Sequence, residues 1–197
     1  MLNLHLDTPL SKAILSLFER ALPMLEGKPP GALKIYVFGG CALHILTNAR
    51  GSADVDAELI ASERLLIAEV KAVFLAPEDF EADGEDLSVV FDQAFNNSLC
   101  PLHENFEHRA IPLNGQEVSP LQVYIAHPID LAISKLGRFT DRDHEDITTL
   151  IKAGKIELGE FDKIAREAID YYPCDKGTVS SYLRLILDEA GKIDNDS

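Results

Sequence analysis

Apolar residues recur at helical spacing through Leu10, Ile14, Leu17, Phe18, Ala21, Leu22 and Leu25, behind Thr8, which can cap a helix, and Pro9, which suits its first turn. Gly27, Pro29, Pro30 and Gly31 then stop that helix. Residues 33–38 are short in span and rich in β-formers, and they run into Gly39-Gly40, which predicts a strand entering a tight turn. Residues 41–47 read as a short helix. Residues 54–60 alternate acidic with apolar positions as a strand does.

Further along, residues 63–75 present Leu66, Val70, Val73 and Phe74 on one helical face, and the acidic stretch 77–86 reads as a solvated loop. Three more strands are expected at 87–95, 107–113 and 121–126. After Pro128 the pattern turns helical, at 129–139, 143–153, 161–172 and 179–190. Val179, Tyr182, Leu183, Ile186, Leu187 and Ala190 form the last stripe, Gly191 is read as its stop, and the tail from Lys192 as frayed. This order predicts an α+β fold: a mixed sheet flanked by helices in residues 1–127, with a helical C-terminal part, 128–197, packed on that core.

Composition sharpens the picture in three ways. Of 197 residues 46% are hydrophobic and 26% charged, which suits a globular chain with a real core. Neither a basic leader nor a run of membrane-spanning length stands out, so a cytoplasmic protein without membrane contact is expected. Lys and Arg number 18 against 33 Asp and Glu, and the formal charge of -15 disfavours non-specific binding to nucleic acid. Three widely spaced cysteines, Cys41, Cys100 and Cys174, make neither a disulfide framework nor a CxxC metal site.

Chemistry concentrates around the Gly39-Gly40 turn. Two glycines at a strand end let backbone approach a ligand closely, and the helix that follows offers unpaired N–H groups to an anion. Asp54 and Asp56, two apart on a strand, project from one face, where their mutual repulsion calls for a cation. Magnesium suits them, because it prefers carboxylate oxygens and bridges to phosphates. The competing reading is an acidic, solvated edge strand. His103 and His108 have the wrong helical spacing to share a metal.

The string Phe38-Gly39-Gly40, a short helix, then Asp54-Val55-Asp56 resembles the signature of the nucleotidyltransferase superfamily. The approach Arg50-Gly51-Ser52-Ala53-Asp54 is similar to that of the abortive-infection (AbiE-type) nucleotidyltransferase toxins. A second block, Lys135-Leu136-Gly137-Arg138 followed by Arg142-Asp143 and Asp146-Ile147, resembles another motif of that group. The resemblance implies transfer of a nucleoside monophosphate from a nucleoside triphosphate to an acceptor hydroxyl, with Mg2+ as cofactor held by Asp54 and Asp56. Gly39, Gly40, Arg50, Ser52, Lys135 and Arg138 would then face the nucleotide, with Asp143 and Asp146 supporting the two cations. Asp92 is the first choice for a third catalytic carboxylate and Glu107 the second.

Each of these residues also has a structural reading. Lys135 and Arg138 suit ion pairs with Asp141 or Asp143, and Asp146 suits an anchor for Lys135. Asp143 suits a capping box with Thr140, and Ser52 a turn. Three functions stay open: an active bacterial transferase, as the toxin half of a toxin–antitoxin pair; an inactive relative that binds nucleotide or a protein partner; and an interaction protein. The acceptor, whether protein, small molecule or RNA end, is not legible.

Overall fold

The computed structural model describes residues 3–61, 65–96, 100–113 and 118–195, with side chains through residue 192. The predicted helix start at Glu63 lies outside this range. The chain divides into two compact units, one formed by Asn3–Phe95 and Ala110–Ala126, the other by Asn96–Arg109 and the chain from His127 onward.

In the first unit, Thr8 caps α1 (Pro9–Glu19) by accepting the Ser11 N–H, as its sequence predicts. The apolar stripe does not continue as α-helix to Leu25. Pro23 has no N–H to donate, and Leu22–Leu25 form a short 3-10 turn instead, leaving Leu22 exposed. Strand β1 (Leu33–Val37) leads directly into α2 (Gly39–Thr47).

The expected strand at 54–60 is two strands. β2 (Asp54–Val55) pairs in parallel with β5 (Glu85–Phe91), whereas β3 (Ala57–Ala61) pairs antiparallel with β1. The chain therefore changes sheets at Asp56. One sheet has the order β3-β1-β7-β6, with β7 (Leu121–Ile125) parallel to β1 and β6 (Ile111–Pro112) antiparallel to β7; Tyr36 and Tyr124, register partners across β1 and β7, stack at 5.1 Å. The other has the order β2-β5-β4. The mixed sheets and helices meet the α+β expectation.

Two predicted features of this unit are corrected. Residues 77–86 are not a loop: β4 (Glu78–Ala82) and β5 form a hairpin, turning at Asp83 and Gly84, both with positive φ. An Asp-Gly pair supplies the backbone such a hairpin turn demands, and the acidity belongs to the strands' exposed side. Helix α3 (Ile67–Val73) is shorter than expected, and Leu66 at its start is exposed, so Val70 and Phe74 alone carry the buried contact. Phe74 joins Phe18 of α1 and Phe91 of β5 in an aromatic cluster, with centroids 5.4 to 6.5 Å apart. Ser16 of α1 and Arg20 just after it both bond to the Glu78 carboxylate, fixing the hairpin to α1.

The second unit is helical. Residues 106–109, expected as the start of a strand, form the short helix α4 (Phe106–Arg109). Long-range contacts decide this: Arg109 makes a two-pronged bond to Asp130 of α5 (Pro128–Leu136) at 2.8 and 2.6 Å, and His103 reaches Glu167 of α7 (Leu158–Tyr171) at 3.2 Å. Those two pairs tie residues 100–109 to the C-terminal helices. α6 (Asp141–Lys152) and α8 (Lys176–Asn195) complete the unit. Val179, Leu183, Ile186 and Ala190 are buried as the stripe predicts, but α8 runs through Gly191, where an added Cβ would meet nothing. Glycine lowers helix propensity by about 1 kcal/mol, too little to end a helix this well anchored.

Candidate active site

The Gly39-Gly40 turn and the aspartate strand are clasped together backbone to backbone. Phe38 donates its N–H to the Asp56 carbonyl at 2.8 Å. Three residues on, the Cys41 thiol lies 3.4 Å from the carbonyl oxygens of both Ser52 and Asp54. The alternate carbonyls point the other way, Ala53 accepting from Val90 at 2.8 Å and Val55 from Asp92 at 3.0 Å. Carbonyls 52, 54 and 56 are therefore held by residues flanking the glycines, 53 by Val90 of β5 and 55 by Asp92 just after it.

Gly39 is required by its surroundings. Its φ is +62, and a Cβ there would lie 1.8 Å from Asp56 Oδ2. The Asp56 carboxylate thus rests where any side chain at 39 would begin. Gly40 is closed by the other predicted residues: its Cβ would stand 2.9 Å from Ser52 Cβ and 3.3 Å from Arg50 Nη1. Ser52 Oγ accepts the Asp54 N–H at 3.2 Å and shapes the entry to β2. Burial pushes the Cys41 thiol up to about 12, and the charges of Asp56 and Asp54 push the same way.

Asp92 directly follows β5, whose parallel register sets Asp54 beside Val90 and Val55 beside Phe91, and its N–H bonds to the Val55 carbonyl. Its Oδ1 accepts the Ala94 N–H at 2.8 Å, turning the carboxylate into its own bend. Glu107 lies on α4 and on no strand. Among the described residues, no three His, Cys, Asp or Glu side chains gather as a preformed metal site. The residues present nonetheless fit magnesium, which takes one or two carboxylates and completes its shell with water and phosphate oxygens. Asp54 and Asp56 would supply such a pair, the Asp56 carboxylate lying in the space that the missing Cβ of Gly39 leaves.

The second predicted block assembles in the helical unit. Lys135, 8% exposed, bonds to Asp146 at 2.6 Å and stands 3.7 Å from Asp143. Arg138 makes a two-pronged bond to Asp143, both contacts 2.8 Å, while most of its side chain is exposed. Asp143 and Thr140 form a reciprocal capping box at the start of α6. Burial alone would raise the Asp143 carboxyl, but bonds from Arg138 and Thr140 and the charge of Lys135 outweigh it and hold it at about 2.

That value lies below the ordinary 3.8, so the Asp143 contribution to stability is complete above about pH 4 and is lost as pH falls through about 2. Replacing Arg138 by Gln should therefore flatten the decline in Tm between those two pH values, measured by thermal melts in matched buffers. A wild-type slope in the variant would show that Arg138 does not hold the carboxylate.

The predicted residues thus converge as two groups: Gly39, Gly40, Arg50, Ser52, Asp54, Asp56 and Asp92 in one unit, and Lys135, Arg138, Asp143 and Asp146 in the other. Sequence reading missed Cys41, whose only signal was its place directly after the glycines, and the Arg109–Asp130 pair, which had none. A mixed sheet whose first strand ends in a Gly-Gly turn packed on an aspartate of the next is a nucleotidyltransferase-like fold. The chain belongs to the family described as "Nucleotidyltransferase of unknown function (DUF6036)", whose model matches residues 12–182 and so spans every residue of both groups. Comparison with curated proteins finds no match. Membership implies a nucleoside triphosphate substrate. Among the described residues, no helix is long and apolar enough to cross a membrane.

Proposed function

We propose that this chain is a magnesium-dependent nucleotidyltransferase that moves a nucleoside monophosphate from a nucleoside triphosphate to an acceptor hydroxyl. The observation that carries the reading is the Asp56 carboxylate set against the Cα of Gly39, at the point where α2 presents its unpaired N–H groups. Asp54 and Asp56 hold the metal, which when bound offsets the charge of the phosphates. Gly40, Arg50 and Ser52 shape the phosphate-facing side of the turn. Asp92 takes the acceptor's proton as its oxygen bonds to the α-phosphorus and pyrophosphate leaves. In the helical unit, Lys135 bonded to Asp146 and Arg138 bonded to Asp143 form a charged cluster of their own.

Replacing Asp54 and Asp56 together by Asn should leave the fold intact and abolish magnesium-dependent nucleotide binding, read by calorimetry beside circular dichroism. Undiminished binding would overturn the site. The turn that engages Asp92 Oδ1 favours a second reading in which nucleotide is bound without transfer. Incorporation of labelled nucleotide into an acceptor separates the two. The charge of -15 favours a protein or small-molecule acceptor, or a short RNA end, over a long RNA backbone. The resemblance of the 50–56 and 135–147 blocks to the abortive-infection toxins supports a cytoplasmic toxin–antitoxin role in a bacterium, with a protein antitoxin as partner.

A further inference from the structure

We propose that Cys41 is a positioning residue whose thiol sets the height of the Asp54–Asp56 segment against the Gly39-Gly40 turn; this rests on the metal-binding reading of those aspartates. β2 is the edge strand of its sheet, so its carbonyls on the side away from β5 have no strand to bond with. The Cys41 sulfur, fully buried, lies 3.4 Å from two of them, Ser52 and Asp54, and shares its single S–H between them. Phe38 takes the third, at Asp56. One residue before the glycines and one after thus do the work of a missing neighbouring strand.

The position demands a small side chain that carries a donor. The residue is 0% exposed, and a side chain without a donor there leaves two carbonyls unanswered. A displaced supporting group of this kind costs roughly tenfold to a hundredfold in metal affinity.

Cys41→Ser keeps a donor in less volume, Cys41→Val fills the space without a donor, and Cys41→Ala has neither. A packing role ranks Val above Ser, whereas a positioning role ranks Ser above Val. The test measures magnesium-dependent binding of a non-hydrolysable nucleoside triphosphate by calorimetry, with the Tm of the metal-free protein alongside. Ser should bind close to wild type, and Val and Ala roughly tenfold to a hundredfold more weakly; should Val fail to fold, Ser against Ala decides. Val binding as well as Ser, or Ala as well as wild type, would overturn the proposal. If it does so while Asp56→Asn abolishes binding, the positioning role alone falls. If wild type shows no magnesium-dependent binding, the reading of the site falls and this inference with it.

Discussion

Replacement of Gly39 by alanine is expected to destabilise the fold by about 1–3 kcal/mol and to abolish magnesium-dependent nucleotide binding. Two effects coincide at this residue. Its backbone has φ +62, which an L side chain rarely adopts, and the new Cβ would lie 1.8 Å from Asp56 Oδ2, so the carboxylate must leave its place. Gly40→Ala is the natural comparison. Its backbone is not strained in this way, and its Cβ would meet Ser52 Cβ at 2.9 Å, a smaller conflict that tilts the turn without evicting an aspartate. Thermal melts and calorimetry on the two variants check the difference. A Gly39→Ala protein that melts and binds like wild type would mean that the turn and Asp56 are not in contact.

Asp146→Ala should cost about 3 kcal/mol, a large share of the 5–15 kcal/mol that holds a typical domain together. The Lys135 ammonium is buried, and the loss removes its 2.6 Å partner, leaving Asp143 at 3.7 Å to hold it. The ion pair itself is a different matter, because burying two charges costs nearly what their attraction returns. Lys135→Met combined with Asp146→Leu should therefore recover most of the stability in urea denaturation. A double variant as stable as wild type that has lost nucleotide affinity would assign Lys135 to the triphosphate. Unchanged affinity would make the pair purely a brace between α5 and α6. A cost below about 1 kcal/mol for Asp146→Ala would show that Lys135 does not depend on it.

What could be read from the sequence was whatever local chemistry decides. Thr8-Pro9, the β-run into Gly39-Gly40, the Thr140–Asp143 box and the stripe of α8 each specify their own conformation, and each stands in the fold. The errors came where a distant partner decides. Residues 100–109 are drawn to the C-terminal helices by the Arg109–Asp130 and His103–Glu167 pairs, and nothing within 106–109 predicts that. The 78–91 hairpin was obscured by its own surface: acidic side chains on the exposed positions diluted the alternation, although Asp83-Gly84 marked the turn. For the site, the aspartates and glycines were legible as a motif. Their clasp through Cys41 was not, because it depends on β2 having an open edge.

The pairing of β1 with β7 bears on when this site comes into being. β1 delivers the chain into the Gly-Gly turn, yet one of its two neighbours is the last strand of its unit, reached only after the hairpin and β6 have been made. Such a parallel pairing closes a long loop, and loops of that kind form late on a folding pathway. Until β7 arrives, the strand that positions Gly39 is bound on one side alone. A nascent or truncated chain therefore carries all the motif residues up to Asp92 without a stable place to put them, and the geometry of the candidate site becomes a property of the finished fold and not of the segment that bears the motif.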